Sequence, residues 1–476
     1  KCLTKLKWLN LDGNQIDYIS RGTFDCLRSL LELSLNNNSV KIIERSAFDG
    51  LIRLRTLKLS QNQISSIANL SSISRLNELA KLDLSMNRIL TIKAVSSDYN
   101  FIKDEDDDEC ELMRDEENKS LFKLVDLNLS GNNLILDNIS SFKCMRNVDS
   151  LTLSNFKNHI DTVDPFIDIS EFNRVNQLIL KNLYIRKIKS FTVITNGRFT
   201  LKGLDLAENQ IRSIDQVRFK DDLADLEWLS LRQNPIGSIE NIEFVGLENL
   251  KSLDLSNLNL LNSSIRSINI RGLKSLRSLF LESNNFSTFY GLNFSGISQL
   301  ETLSLNSNQI KSLDRVVVFN GIENLRFLSL DSNRLVDIEK MDFKGIERLQ
   351  TLRIQQNLIL FLKRVKFGGL SNLRTLDLTA NLIMLSEVMS FEGLERLESL
   401  ILSRNDVSAS AKIKFLGLES LKKLDISYNF INKLSSIKLD GVKSLSELIL
   451  KGNQINSLDD PPQIEAANNQ SKIILN

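Results

Sequence analysis

An asparagine that recurs mostly every 24 residues constrains this chain more than any other feature. The series runs Asn14, Asn38, Asn62, Asn87 and Asn132, then Asn209, Asn234, Asn284, Asn308, Asn333, Asn357, Asn381, Asn405, Asn429 and Asn453. Each sits in a fixed frame of leucines. Leu6, Leu9, Leu11, Asn14 and Ile16 set an L-x-x-L-x-L-x-x-N-x-L pattern that returns at Leu54–Ile64 and at Leu373–Ile383. Three more repeats keep the leucines but carry Phe156, Leu183 or Leu258 instead, each preceded by an asparagine (Asn155, Asn182, Asn257). Length alone suggests about three ordinary domains, but eighteen repeats over 476 residues point to one stacked array.

Alternation within x-L-x-L-x turns Leu9 and Leu11 to one side and Trp8, Asn10 and Asp12 to the other, the side-chain order of a short strand. One such strand cannot bury its apolar side, whereas stacked copies make a continuous parallel sheet and core. The asparagine closes the turn, where an amide can both donate to and accept from backbone groups otherwise buried unpaired. Phe48, Phe244, Phe294, Phe343, Phe367, Phe391 and Phe415 recur in an F-x-G-L/I setting and are expected to stack along the opposite wall.

These motifs resemble the leucine-rich repeat family over nearly the whole chain. The resemblance implies an α/β solenoid: a horseshoe with a parallel β-sheet on its concave face and little helix on its convex face. Repeats of 24 residues with the recurring phenylalanine resemble the extracellular subfamily, closest in texture to chaoptin-like adhesion proteins and Toll-like receptor ectodomains. The expectation is a single solenoid over 1–476 with an acidic insertion at 98–119. Lys1 to Leu6 enters the first repeat directly and Ile473-Ile474-Leu475 opens another strand pattern, as expected of a fragment of a longer chain. Its parent could then carry a membrane anchor.

A net charge of +1 gives no global reason to expect nucleic acid as partner. Apolar runs of about five residues fall far short of the ~18 a membrane helix needs. The spacing from Asn87 to Asn132 is 45, leaving room for an insertion that holds Asp104 to Glu109 and Asp115 to Glu117. Like-charge blocks stay solvated, and the spaced carboxylates of a calcium loop are missing. The expectation is a solvated loop; contact with a partner is the alternative.

Cys2 and Cys26 occupy one position in adjacent repeats. Stacked strands lie roughly 4.8 Å apart, within the ~4.4–6.8 Å between Cα atoms that a disulfide tolerates. Cys110, on the insertion, could reach Cys144. Two such pairs fit an oxidising compartment, and the competing reading is free thiols in a cytosolic solenoid. N-x-S/T sequons occur at Asn37, Asn69, Asn118, Asn128, Asn138, Asn262, Asn285, Asn293 and Asn469, scarcely more than an Asn- and Ser-rich chain produces by chance. A glycan on Asn128 would obstruct the inner strand.

Catalytic patterns fail one by one. His159 is the only histidine, and no G-x-S-x-G, phosphate-binding glycine loop or C-x-x-C occurs. No enzyme, metal or cofactor is expected. Asp83, Asp205, Asp254, Asp377 and Asp425 alternate with inward leucines and read as a solvated face. What remains is a recognition surface. Trp228, Phe280 and Phe327 fall at outward strand positions, with Arg232, Glu282, Asp331 and Arg353 beside them. Trp and Arg are enriched at binding hot spots, so these seven residues form the candidate ligand patch; the alternative is that the aromatics lie flat along the sheet. The function this implies is an extracellular or cell-surface domain that binds a protein ligand or a homophilic partner. A Toll-like receptor ectodomain and a cytosolic scaffold are the competing readings.

Overall fold

A computed structural model of the chain describes residues 2–44, 46–65, 73, 76–89, 124–133, 148–155, 166–168, 174–186, 188, 190–195, 200–214, 217–219, 223–260, 264–311, 319–336, 338, 343–362, 367–384, 388–408, 413–439, 442–456 and 472–474. The repeats form a parallel β-solenoid that packs as two compact units. The first comprises Lys1–Arg212, Val217–Leu231 and Val245–Leu247, and the second Ser213–Gln216, Arg232–Phe244 and Glu248–Asn476.

In the first unit, parallel three-residue strands run from Trp8–Asn10 through Glu32–Ser34, Thr56–Lys58, Lys81–Asp83, Asp126–Asn128, Ser150–Thr152, Gln177–Ile179 and Gly203–Asp205 to Trp228–Ser230. The second unit repeats the arrangement from Ser252–Asp254 through Ser278–Phe280, Thr302–Ser304, Phe327–Ser329, Thr351–Arg353, Thr375–Asp377, Ser399–Ile401, Lys423–Asp425 and Glu447–Ile449 to Lys472–Ile474. Leucine pairs with leucine at nearly every step, and Leu33, Leu57, Leu253, Leu328 and Leu376 are fully buried. Parity sets this register, because a slip of one residue would turn every leucine to solvent. Leu82 pairs with Leu127, so the ladder keeps register between residues separated by the acidic insertion. Residues 98–119 themselves lie outside the described residues.

Opposite the sheet the chain makes short parallel strands, among them Tyr18–Ile19 with Ile42–Ile43 and Ser264–Arg271 with Thr288–Ser295. Helix is nearly absent from the described residues; Leu434–Ser436 forms a single 3-10 turn. The recurring phenylalanines are buried here, with ring centroids 6.0 Å apart for Phe367 and Phe391 and 6.3 Å for Phe391 and Phe415. The glycine of F-x-G makes this spacing possible. Gly417 has φ +80, and a Cβ there would stand 2.9 Å from the Phe391 carbonyl of the previous rung.

The asparagine ties each rung to its predecessor. Asn333 Nδ2 donates to the Leu330 carbonyl of its own rung (2.9 Å) and to Leu305 of the rung before (3.0 Å), while its Oδ1 accepts the Ile310 N–H (3.1 Å). Asn62, Asn87, Asn381, Asn405 and Asn429 repeat this set. Where the asparagine is replaced, the next one still binds the amide at that position, as Asn308 also does for Asn284. Asn209 Oδ1 accepts from both Leu183 (2.8 Å) and Ile185 (3.3 Å), and Asn284 Oδ1 accepts from Leu258 (2.8 Å). Leu183 and Leu258 are buried, and their turns carry a second left-handed residue at Tyr184 (φ 61) and Asn259 (φ 56), a feature shared with Asn285 (φ 61) after an intact Asn284. Asn182 does not take over the ladder role; its Nδ2 donates instead to Asn155 Oδ1 on the surface. Phe156 lies outside the described residues.

Asn333→Ala is expected to cost about 2 kcal/mol, because each carbonyl keeps one donor but the Ile310 N–H is left buried without an acceptor. Asn333→Asp should cost more, since it keeps the acceptor but aims a buried charge at two carbonyls. Asn14, which is exposed and bonds Leu11, should tolerate alanine with a smaller loss because water replaces the amide. Urea denaturation of the three variants measures the order.

Candidate interaction surface

The open face of the sheet is built from the residues that alternate with the leucines. The aspartates on it are structural rather than simply solvated. Asp83, Asp205, Asp254, Asp377 and Asp425 each accept the backbone N–H two residues on, at 2.9–3.0 Å. Asp205 and Asp377 are buried. This corrects the reading of a solvated acidic face: a carboxylate there caps the strand end, where the backbone N–H would otherwise lack a partner. Asn10 and Asn128 cap their strands the same way, the Asn128 Oδ1 accepting the Ser130 N–H within its own turn.

Repeats without an acid or amide at that position use the rung before. The N–H of Ser60 is bound by Asn36, that of Asp331 by Asn306, and that of Gln355 by Asp331. Asp331 is thereby drawn into the framework. It is 7% exposed, accepts from Gln355 at 2.7 Å and pairs with Arg353 at 2.8 Å. Burial pushes its carboxyl above the ordinary carboxylate range, outweighing the Gln355 N–H and the Arg353 guanidinium that draw it down.

The aromatic candidates are half-buried. Trp228 pairs with Gly203 on the neighbouring strand, and its indole occupies the space that a Cβ on Gly203 would need. The ring therefore lies against the sheet. Trp228 belongs to the first unit, whereas Arg232, Phe280, Glu282, Phe327, Asp331 and Arg353 belong to the second. Phe280 stands beside Asp254 and Ser304, and Phe327 beside Thr302 and Thr351. Glu282 accepts from the Ser304 hydroxyl at 2.8 Å, and Arg232 is exposed. Of the seven candidates, the structure joins Asp331 to Arg353 directly. Sequence reasoning missed Gly203, whose signal was a glycine in a column otherwise filled by side chains.

Cys2 and Cys26 form a disulfide with Cα atoms 5.4 Å apart. Cys110, Cys144, Asn69, Asn118, Asn138 and Asn262 lie outside the described residues, as does the side chain of Asn293. Asn37 and Asn285 are exposed, in left-handed turns with φ 52 and 61.

Asp331→Asn should preserve the bond to Gln355, as Asn36 and Asn306 do in their rungs, and stay within about 1 kcal/mol of wild type at neutral pH. Asp331→Ala should lose about 1–3 kcal/mol by orphaning that N–H. The folded pKa of Asp331 is raised, so its stabilising contribution is present in acid, below the unfolded value, and is lost as pH rises through the folded value. Wild type should therefore lose more stability than Asp331→Asn between acidic and neutral pH, as read by urea denaturation.

The family model for "Leucine rich repeat" matches residues 1–40, 30–89, 199–261, 274–335, 298–359, 347–407 and 395–455. Tsukushi-A of Xenopus laevis is 31% identical over 157 residues, covering 28% of this chain and 43% of that protein. Toll-like receptor 3 of Boselaphus tragocamelus is 28% identical over 194 residues, covering 39% of this chain and 21% of the receptor. The chain thus spans less than half the length of these relatives. Among solved structures, a TLR13–ssRNA13 complex superposes with TM-score 0.55 at 23% identity, over 98% of this chain and 69% of that one. A mouse RP105/MD-1 complex gives TM-score 0.60 at 21% identity, over 95% and 76%. With the family model matching most of its length and the rungs bound by the asparagine that defines the motif, this chain belongs to the leucine-rich repeat family.

Proposed function

We propose that the chain is the recognition domain of a cell-surface or secreted protein and binds protein ligands through the open sheet face. The observation that carries this reading is the set of half-buried aromatics: Phe280 and Phe327 on strands paired on both sides, and Trp228 on a strand paired with that of Gly203. A side chain held on a rigid rung loses little further freedom on binding, so its burial converts efficiently into affinity. Trp228 is the best anchor in the first unit; Phe280 with Glu282, and Phe327 with the Asp331–Arg353 pair, are the anchors in the second. The role is binding rather than catalysis. The Cys2–Cys26 pair and the likeness to Tsukushi-A and Toll-like receptor 3 support an extracellular or surface location.

A Toll-like ectodomain is the second reading, favoured by the matches to Toll-like receptor 3 and to the TLR13 fold. A signalling domain in the parent gene would distinguish it. Thiol labelling under denaturing conditions separates both from a cytosolic scaffold, which would yield four reactive cysteines.

Once a ligand is found by screening the chain against secreted and cell-surface proteins, Trp228→Ala is expected to weaken it by about 2 kcal/mol. Phe280→Ala and Phe327→Ala should weaken it too, with unfolding midpoints near wild type because the fully buried leucines beneath are untouched. Wild-type affinity in all three variants would move the site to another surface.

A further inference from the structure

The flank that follows the ladder asparagine differs between repeats in a way the core does not require. The residue immediately after the asparagine is polar in most rungs, as at Gln63, Arg88, Asn133, Gln210, Gln309 and Arg334, but it is Leu358, Leu382 and Phe430 in three rungs of the second unit, with Asp406 between the last two. These three, with Phe361 and Met384, are between 41% and 51% exposed. They lie along one flank, Leu358 and Phe361 beside Leu382 and Met384, with Phe430 two rungs on. Leu358 N–H donates to Leu335 O, Leu382 N–H to Ile359 O, Met384 N–H to Leu360 O and Phe430 N–H to Val407 O, all at 2.8–3.1 Å. Met384 bridges to Asp406, and Ser408 to Phe430. Exposed apolar residues thus line two successive rungs, at Leu358, Phe361, Leu382 and Met384, and return at Phe430 beyond the rung that carries Asp406; a cluster of this kind marks a binding surface rather than packing.

The flank preceding the strands is built differently. Glu398 there lies between Arg374 (2.9 Å) and Lys422 (3.0 Å), and Arg277 pairs with Glu301, a self-satisfied polar edge. The apolar row instead has a basic rim. Arg334 is exposed on the rung before Leu358, and on the rung of Asp406 the exposed guanidinium of Arg404 lies 4.8 Å over the Tyr428 ring. Among the described residues of 334–336, 358–361, 382–384, 406–408 and 430–433, Asp406 is the only carboxylate, and it is half-buried.

We propose that this flank docks a protein segment of complementary chemistry: apolar side chains along one side, to cover Leu358, Leu382, Met384 and Phe430, with carboxylates beside them that meet Arg334 and Arg404. Charge complementarity selects the partner, because a basic or neutral apolar segment would bury the same area against an unmatched cationic rim. The surface is separate from the aromatic positions on the sheet face and does not depend on them.

The test uses the full chain and two synthetic amphipathic peptides with identical Leu/Phe faces, one carrying Glu and one Lys, with binding read by fluorescence anisotropy. The Glu peptide should bind saturably and at least about tenfold tighter than the Lys peptide. Leu382→Ser and Phe430→Ser should each weaken it about tenfold, and the Arg334→Glu/Arg404→Glu double variant should reverse the preference. Ile52→Ser, at an exposed apolar residue of the first unit, and Trp228→Ala should leave it unchanged, which separates failure here from failure of the sheet-face reading. Circular-dichroism melts confirm that the variants fold; if a serine variant melts early, the arginine variants still decide. Equal binding of both peptides, or binding indifferent to the flank variants, overturns the proposal. So does self-association in sedimentation velocity that Leu382→Ser abolishes and the Glu peptide does not compete, which would seat a second copy there. Binding of phosphatidylserine vesicles without binding of the peptide would assign the surface to lipid and overturn it as well.

Discussion

Each ladder asparagine supplies two donors and one acceptor, and the rest of the solenoid depends on how they are spent. The Leu305 carbonyl receives both Asn308 Nδ2 (2.9 Å) and Asn333 Nδ2 (3.0 Å), and Leu330 receives both Asn333 and Asn357. Carbonyls in the ladder therefore have a second donor, whereas the Ile310 N–H relies on Asn333 Oδ1. Where the asparagine is missing, it is the N–H at this position that must find another acceptor. Leu258 shows the outcome: without an asparagine in that rung, the Ile236 N–H of the rung before turns to the Asn234 carbonyl at 2.8 Å. A chain of rungs coupled only to neighbours gains stability pair by pair, so such substitutions act locally.

The same turn imposes a second constraint that composition hides. The residue before the asparagine is left-handed throughout the described turns, even where it is Met86 (φ 55), Glu208 (φ 59), Arg404 (φ 56) or Tyr428 (φ 53). A left-handed L-residue costs roughly 1–2 kcal/mol, and the cross-rung hydrogen bonds offset it. In exchange the position points away from the core and can carry any side chain. Tyr428 uses that freedom to lie over Gly452, and Arg404 to lie over Tyr428.

What the sequence made legible were the features that repeat in phase. Leucine parity placed the sheet, the F-x-G setting placed the buried wall, and equal positions for Cys2 and Cys26 placed their sulfurs in reach. What it hid were contacts between unlike residues in adjacent rungs. Asp377 looks like a solvated acid until its own Thr379 N–H and the Gln355 amide of the previous rung are seen to bind it. Trp228 looks exposed until Gly203 is set beside it, and Arg353 looks like a free cation until Asp331 is. Each partner stands about one repeat away in sequence, so reading columns across repeats, rather than motifs along the chain, would have exposed all three.

Reading columns also separates framework from function. A column that holds one chemistry in nearly every rung, such as the leucines or the asparagine, serves stacking. One that alternates between two solutions to the same backbone need, as Asp or Asn does at the strand end, also serves stacking, and its acids are poor candidates for ligand contacts. Columns whose chemistry changes with no backbone bond to account for it are where selection for binding can act. Trp228 and Phe327 stand in such a column on the face, Phe280 is an exception within the strand-end column of Asp254, and Leu358, Leu382 and Phe430 stand in one on the flank. Because Trp228, Phe327, Leu358, Leu382 and Phe430 stand outside the asparagine and strand-end aspartate positions that bind backbone groups, they can change without disturbing the ladder beneath them. That independence lets one repeat serve many partners.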